Sequence, residues 1–440
     1  MKDLFFELAG YAFGQLQGRE VLLANFSGEQ SDFVRFNHAR VRQPMTVRQA
    51  HLTLELIDSR RNDRTTLSIS GNADDDRPAI QAAIEAMRAD LPALPEDPYL
   101  LYSQAADTSH TDRRGRLPSP DEAIDTLTTA GAGLDMVGIL ASGPVSRGFA
   151  SSHGARHWHA VESFLLDWSV YAGGDKAVKA SHAGEQWDRA EVARRIDATR
   201  EQLPLLSRAP RTIEPGAYRA YVCPAALDEL LWMLNWGGVS AKAQRTQQST
   251  IQELVEGRAA LSEQVSLREH VAGGLAPAFD ESGFTRPATV ELIRAGRHAG
   301  SLASPRTAQE YGIETNGATE DESMQSMELA PGKLARADAL RALDTGVYVG
   351  NFHYLNWSDR TAARITGMTR FATYWVERGQ IVAPLSVMRF DDTLYRMLGA
   401  ELEALDSEAD WILNNGTYGG RSVETSRVPG ALLKALRLTL

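Results

Sequence analysis

The run from Gly346 to Phe390, GVYVGNFHYLNWSDRTAARITGMTRFATYWVERGQIVAPLSVMRF, constrains the fold of this chain more than any other stretch. Aromatic and β-branched residues recur in short bursts separated by polar or glycine-bearing breaks, the pattern of successive strands rather than of a helix. Arg378-Gly379 stands where a tight turn would send one strand back along its neighbour. At least three strands are expected here.

The chain has 440 residues and is 43% hydrophobic, enough to bury a large core and to divide into two domains. Its net charge of −11 contains no long block of like charge, which argues against nucleic acid as a direct ligand. Cys223 is the single cysteine, so neither an internal disulfide nor a zinc ribbon can form, and a reducing, cytoplasmic setting is expected. The opening stretch MKDLFFELAGYAFG carries Asp3 and Glu7, and no later segment reaches the ~18 apolar residues of a membrane span. Neither an export signal nor a membrane anchor is expected.

Hydrophobic period assigns the other elements. Phe33 to Arg42 alternates as a strand, and Val47–Ile57 and Thr65–Ser70 read as a hairpin around the polar turn Asp58–Asp63. Ile80, Ile84, Met87 and Leu91 recur at helical spacing, predicting an amphipathic helix over Arg77–Leu91 that ends before Pro92. Pro92 to Pro118 reads as a long connection. Ser119, Pro120 and Glu122 form a capping-box start for a second helix, Phe164 to Val170 alternates as a strand, and Asp188–Leu203 reads as a third helix. Pro204 and Pro210 bracket a boundary.

Beyond it, Pro224–Trp236 is expected to be a helix whose Leu227, Leu230, Leu231 and Leu234 form the buried stripe. Leu334–Leu343 should be another, with Gly346 ending it in a left-handed conformation. Leu394, Leu398, Leu402 and Leu405 suggest a late helix. The expected class is α+β: an N-terminal α/β domain over residues 1–208, with a mixed sheet and amphipathic helices, and a mainly antiparallel β domain over residues 209–440.

Several constellations suggest chemistry. His153, His157 and His159 form the one histidine cluster; in a strand His157 and His159 share a face, giving two metal ligands at best, so a polar strand face competes with a metal site. Gly131-Ala132-Gly133 and Gly173-Gly174 lack the spacing of a phosphate loop and read as turns. Cys223 precedes a helix start, where a thiol pKa can fall, yet no pattern ties a histidine to it, and a structural thiol is the simpler reading. Ser142 and Ser152 sit in no nucleophile elbow. Trp357, Phe371, Tyr374 and Trp375 interleave with Arg364 and Arg370; in an acidic chain this reads as strands with one aromatic face and an edge open to peptide.

Three segments resemble the TldD/TldE (PmbA) family of metallopeptidase-related proteins. The first is the opening run, whose GVYV, ITGMTR and ERGQIVAPL place Tyr348, Gly367, Gly379 and Pro384 at family-motif positions. The second runs from Phe279-Asp280-Glu281-Ser282-Gly283 to the Thr315–Ala318 stretch, carrying Asp280, Gly283 and Gly317, with Ser282 where the family usually has glutamate. The third is Ser152-His153-Gly154, with Ser151 replacing asparagine. Together they span roughly residues 30 to 430.

The resemblance implies two subunit types. TldD-type chains carry H-E-x-x-x-H on a helix, binding zinc through two imidazoles beside a glutamate general base, with a late cysteine as a further ligand; TldE-type chains share the fold and lack the ligands. Here the corresponding helix reads PAALDELLWMLNW without histidine, leaving Asp228 and Glu229, expected as exposed carboxylates opposite the leucine stripe. The cysteine position falls in Asn414–Gly420, at Tyr418 or Thr417. The resemblance thus implies a TldE-like, non-catalytic subunit without its own zinc, enclosing unfolded or modified peptides for a zinc-bearing TldD-like partner and forming a homodimer when alone. Two alternatives stay open: a metal-dependent hydrolase built on the histidine cluster, and a self-associating peptide-binding module.

Overall fold

The computed structural model describes residues 1–174 and 176–440, and its strands gather in two sheets. The first contains β1 (Val21–Asn37), β2 (Arg40–Asp58), β3 (Arg61–Ser68), β4 (Thr108–Arg113), β5 (Met136–Ser151), β6 (Arg156–Gly173) and β7 (Lys176–Gly184). Their order is β3-β2-β1-β5-β6-β4, with β7 also paired to β6; β4 runs parallel to β6 and the other neighbours are antiparallel. Four helices accompany it: α1 (Lys2–Phe13), α2 (Ala73–Asp90), α3 (Pro120–Ala130) and α4 (Arg189–Leu206).

The two-residue period of the strands divides this sheet cleanly. Leu22, Ala24 and Phe26 of β1 pack with Phe5 and Leu8 of α1 and Ile80 and Ile84 of α2, while Phe164, Leu166 and Trp168 of β6 pack with Leu127 of α3 and Ile196 of α4. The intervening positions point the other way. Leu23, Val145, Phe149, Val161 and Leu165 meet Leu275, Phe279, Leu413 and Val423 from the C-terminal half. One face is therefore roofed by helices and the other by loops and a strand end of the C-terminal half.

That second sheet comprises β8 (Gly216–Val222), β9 (Leu267–Glu269), β10 (Val290–Arg294), β11 (Arg297–His298), β12 (Ser326–Leu329), β13 (Gly346–Val349), β14 (His353–Asp359), β15 (Arg364–Met368), β16 (Thr373–Glu377), β17 (Gln380–Pro384), β18 (Arg389–Thr393), β19 (Leu402–Leu413) and β20 (Thr425–Leu438). Most pairs are antiparallel, with β12–β20 and β8–β13 parallel. Its helices are α5 (Pro224–Trp232), α6 (Ala241–Arg245), α7 (Gln252–Val255), α8 (Pro305–Tyr311) and α9 (Ala339–Leu343). The opening run supplies β13 to β18, and Arg378 (φ 50°) and Gly379 (φ 73°) make the left-handed turn between β16 and β17.

Several expectations need correction. Phe33–Arg42 is not one strand: His38 (φ 50°) and Ala39 (φ 54°) turn the chain from β1 into β2. The connection after Pro92 contains β4. The late helix lasts only to Ala400, because Gly399 leaves helical geometry (φ −107°, ψ −109°) and Leu402 and Leu405 enter β19. Helix α4 continues past Pro204 to Leu206, and α5 gives way at Met233 to a 3-10 turn. Asp344 (φ 54°), rather than Gly346, follows α9. Gly346 has a different duty, since a Cβ there would lie 2.2 Å from Arg219 O on β8.

Candidate functional site

Strand β8 feeds directly into α5, the helix that carries Asp228 and Glu229. Pro224 occupies the first turn, where its missing N–H costs nothing, and Leu227, Leu230 and Leu231 bury the expected stripe. Each contributes about 1.5–3 kcal/mol by leaving water.

The carboxylates do not lie in solvent opposite that stripe. Asp228 is buried at 7% exposure and its Oδ1 accepts a hydrogen bond from Ser426 Oγ on β20 at 2.5 Å. Burial pushes its pKa up to about 7, while hydrogen bonds from Ser426 and Trp232 oppose the rise. Glu229 is half-buried, and its Oε2 accepts the Phe352 backbone N–H at 2.8 Å. Burial raises it too to about 7, partly offset by the Lys179 ammonium of β7 and by the Phe352 hydrogen bond. The expectation of solvated acids fails because α5 is covered on more sides than its leucine pattern records.

This donor set does not fit zinc. Helix α5 carries neither histidine nor cysteine, and one oxygen of each carboxylate already accepts a hydrogen bond, from Ser426 Oγ and from the Phe352 amide. Tyr418 is fully exposed, in the segment that docks on the first sheet when Gln49 Nε2 donates to Gly419 O at 2.8 Å. At the start of α5, Cys223 is partly enclosed, and desolvation pushes its thiol up to about 12, the opposite of the activation available at a helix start. Tyr348 lies beside it, its phenol raised by Cys223 and by burial, with Tyr221 5.7 Å away between ring centroids.

The histidines are separated in use. His157 and His159 share the face of β6 turned toward the C-terminal half, as alternation requires, and both are buried. His157 stacks on Phe279 at 5.2 Å, with Nδ1 2.8 Å from Ser109 Oγ and Nε2 3.3 Å from Asp107. His159 Nε2 lies 2.9 Å from Leu275 O, and burial lowers its pKa to about 4. His153 stacks on Tyr102. Among the described residues no three His, Cys, Asp or Glu side chains converge as a metal-holding group.

The motif positions hold backbone shapes and contacts. Asp280 Oδ1 accepts from Ser282 N at 2.9 Å and Phe284 N at 2.8 Å, closing a turn in which Gly283 (φ 85°) lies against the Phe149 ring. Burial raises Asp280 to about 7 against those two hydrogen bonds. Gly317 (φ 64°) adjoins Arg286, a Cβ at Gly367 would meet Leu355 and Phe390 below 3 Å, and Pro384 O accepts the Arg211 N–H at 2.7 Å. Residue patterns missed the members of the α5 site that come from afar: Ser426, Lys179 and the Phe352 amide. They also missed Arg421, which is 4% exposed and donates to Gly143 O, Ser163 O and Ser163 Oγ, tying the Asn414–Glu424 segment to the first sheet.

Residues 215–439 match the family model described as the PmbA/TldA metallopeptidase C-terminal domain. Three solved structures share the fold across nearly the whole chain. TldE from Thermococcus kodakarensis has a TM-score of 0.75 at 13% identity, covering 100% of each chain. A Thermotoga maritima protein described as a candidate modulator of a DNA gyrase gives 0.75 at 13% identity, covering 99% of this chain and 100% of that one. A Bacteroides thetaiotaomicron protein described in similar words gives 0.74 at 16% identity, covering 100% and 98%. No curated protein matches the chain.

Proposed function

The chain belongs to the PmbA/TldD metallopeptidase family, and from that premise we propose that it is the TldE-like, non-catalytic subunit of a two-chain metalloprotease. In this reading a TldD-like partner brings the zinc and the peptide-cleaving chemistry, and this chain helps to enclose unfolded or modified peptides. The observation that carries it is the state of α5: the acids that the resemblance places at ligand positions accept hydrogen bonds from Ser426 and the Phe352 amide, and the helix carries no histidine. A helix packed this way serves as a wall of a chamber rather than as its catalytic centre. The reading includes a homodimer when the partner is absent and a cytoplasmic location; no helix among the described residues is long and apolar enough to cross a membrane.

Coexpression with a TldD-like chain carrying H-E-x-x-x-H tests the proposal. The expected result is a stable complex that cleaves unfolded peptides, while this chain alone purifies without stoichiometric zinc and without peptidase activity. Metal-dependent cleavage by the isolated chain would overturn it.

A further inference from the structure

We infer that the outer edge of β2, over Arg40–Gln49, is a docking strand for an extended acidic peptide with alternating apolar residues. The edge is open because β3 pairs only with His51–Asp58, and the Ile69 N–H caps Ala50 O just beyond. Residues Arg40–Thr46 are exposed throughout, although their inner side is laddered to β1 around a bulge at Arg42. Unpaired strand edges are templates for another strand, with main-chain hydrogen bonds giving affinity and alternate side chains giving selectivity.

Charge selects the occupant. Between Phe33 and Leu54 the sequence contains Arg35, Arg40, Arg42 and Arg48 and neither Asp nor Glu, in a chain whose net charge is −11. Among the described residues none of these arginines forms a salt bridge, and the nearest acid on β1, Asp32, is occupied by Thr46 Oγ1 at 2.6 Å. The same stripe works against a second copy of this chain. Antiparallel self-pairing of this edge would bring the arginines of one copy against those of the other, and like charges opposed across a ladder destabilise it.

Pro44 fixes the register of the open groups. Lacking an N–H, it is accommodated in a paired strand where that group would point off the sheet, so Thr46 and Arg48, two and four residues on, present amide and carbonyl outward. On the face turned from the helices, Met45 is 44% exposed, and Tyr418, next to the Gly419 that Gln49 holds, is fully exposed. An incoming strand thus meets Arg48 on one face and Met45, with Arg40 beyond it, on the other.

The test uses this chain alone, so that it fails or succeeds independently of any catalytic partner. Fluorescence anisotropy is measured with a labelled alternating Glu-Val peptide and its Lys-Val counterpart. Saturable, salt-weakened binding of the Glu-Val peptide alone is expected. Arg42→Glu with Arg48→Glu should weaken it about tenfold or more through charge, and Thr46→Pro should weaken it by removing one outward amide, with circular dichroism confirming that both variants stay folded. No binding, equal binding of the Lys-Val peptide, binding unchanged in both variants, or dimerisation through this edge in place of peptide binding would each overturn the inference.

Discussion

Asp228 on α5 and Ser426 on β20 are joined by a 2.5 Å hydrogen bond that fastens the helix to the long C-terminal strand. The bond sits beside Glu229, a second acid held above its ordinary range, so α5 carries two adjacent carboxyls that resist ionisation.

Their linkage to pH has a definite sign. Asp228 titrates near 4 when unfolded and about 7 when folded, so between those values the folded state keeps a proton that the unfolded state has released. Stability therefore falls as pH rises through that window, and the penalty is complete above it. Asp228→Asn, which keeps an acceptor for Ser426, should be more stable than the parent at pH 8, on the order of 2–4 kcal/mol, and should match it near pH 4. Urea unfolding at the two pH values measures this, and a variant weaker at pH 8 would sink the account.

Glu269 and Arg286 form a buried pair at 2.8 Å, and Glu269 also accepts the Gln325 and Ser326 backbone N–H groups at 3.0 Å. Arg286→Met leaves the carboxylate uncompensated and should cost about 3–5 kcal/mol. Adding Glu269→Gln should recover much of that loss. A double-mutant cycle in denaturant reads the coupling, and strictly additive losses would contradict it.

Arg421→Ala removes the donor shared by Gly143 and Ser163 and leaves their oxygens buried without it. A loss of about 3 kcal/mol is expected, with faster amide exchange concentrated in the Asn414–Glu424 segment. Uniform change across both sheets would argue against a local tie.

Gly346→Ala forces a Cβ against Arg219 O in the parallel β8–β13 pair. The expected cost is about 1–3 kcal/mol from overpacking, visible as a lower urea midpoint. Gly10→Ala, in α1 with open space around its Cβ position, should show no such loss and serves as the control.

Sequence reasoning located the elements whose signals are local. Ser119 does accept the Glu122 N–H at 3.2 Å, as its capping pattern implied, and the Arg378-Gly379 turn is where the residues put it. The β1–β2 turn was hidden because the two residues that adopt left-handed backbone, His38 and Ala39, are neither glycine nor asparagine. Leu402 and Leu405 continued a helical spacing by coincidence, since Gly399 ends the turn and pairing with Leu433 and Ala431 decides their state. At α5 the stripe was legible, but the fate of Asp228 depended on a serine 198 residues away. No local pattern carries that distance.

With helices on one side and the C-terminal half on the other, the first sheet makes the chain's passage from Leu206 to Gly216 mechanically redundant. Leu275, Phe279, Leu413 and Val423 hold the halves together through burial that does not depend on that crossing. A protein cut there should behave as a split pair: two fragments made in one cell would find each other, and a nick in this segment would go unnoticed until the halves were denatured.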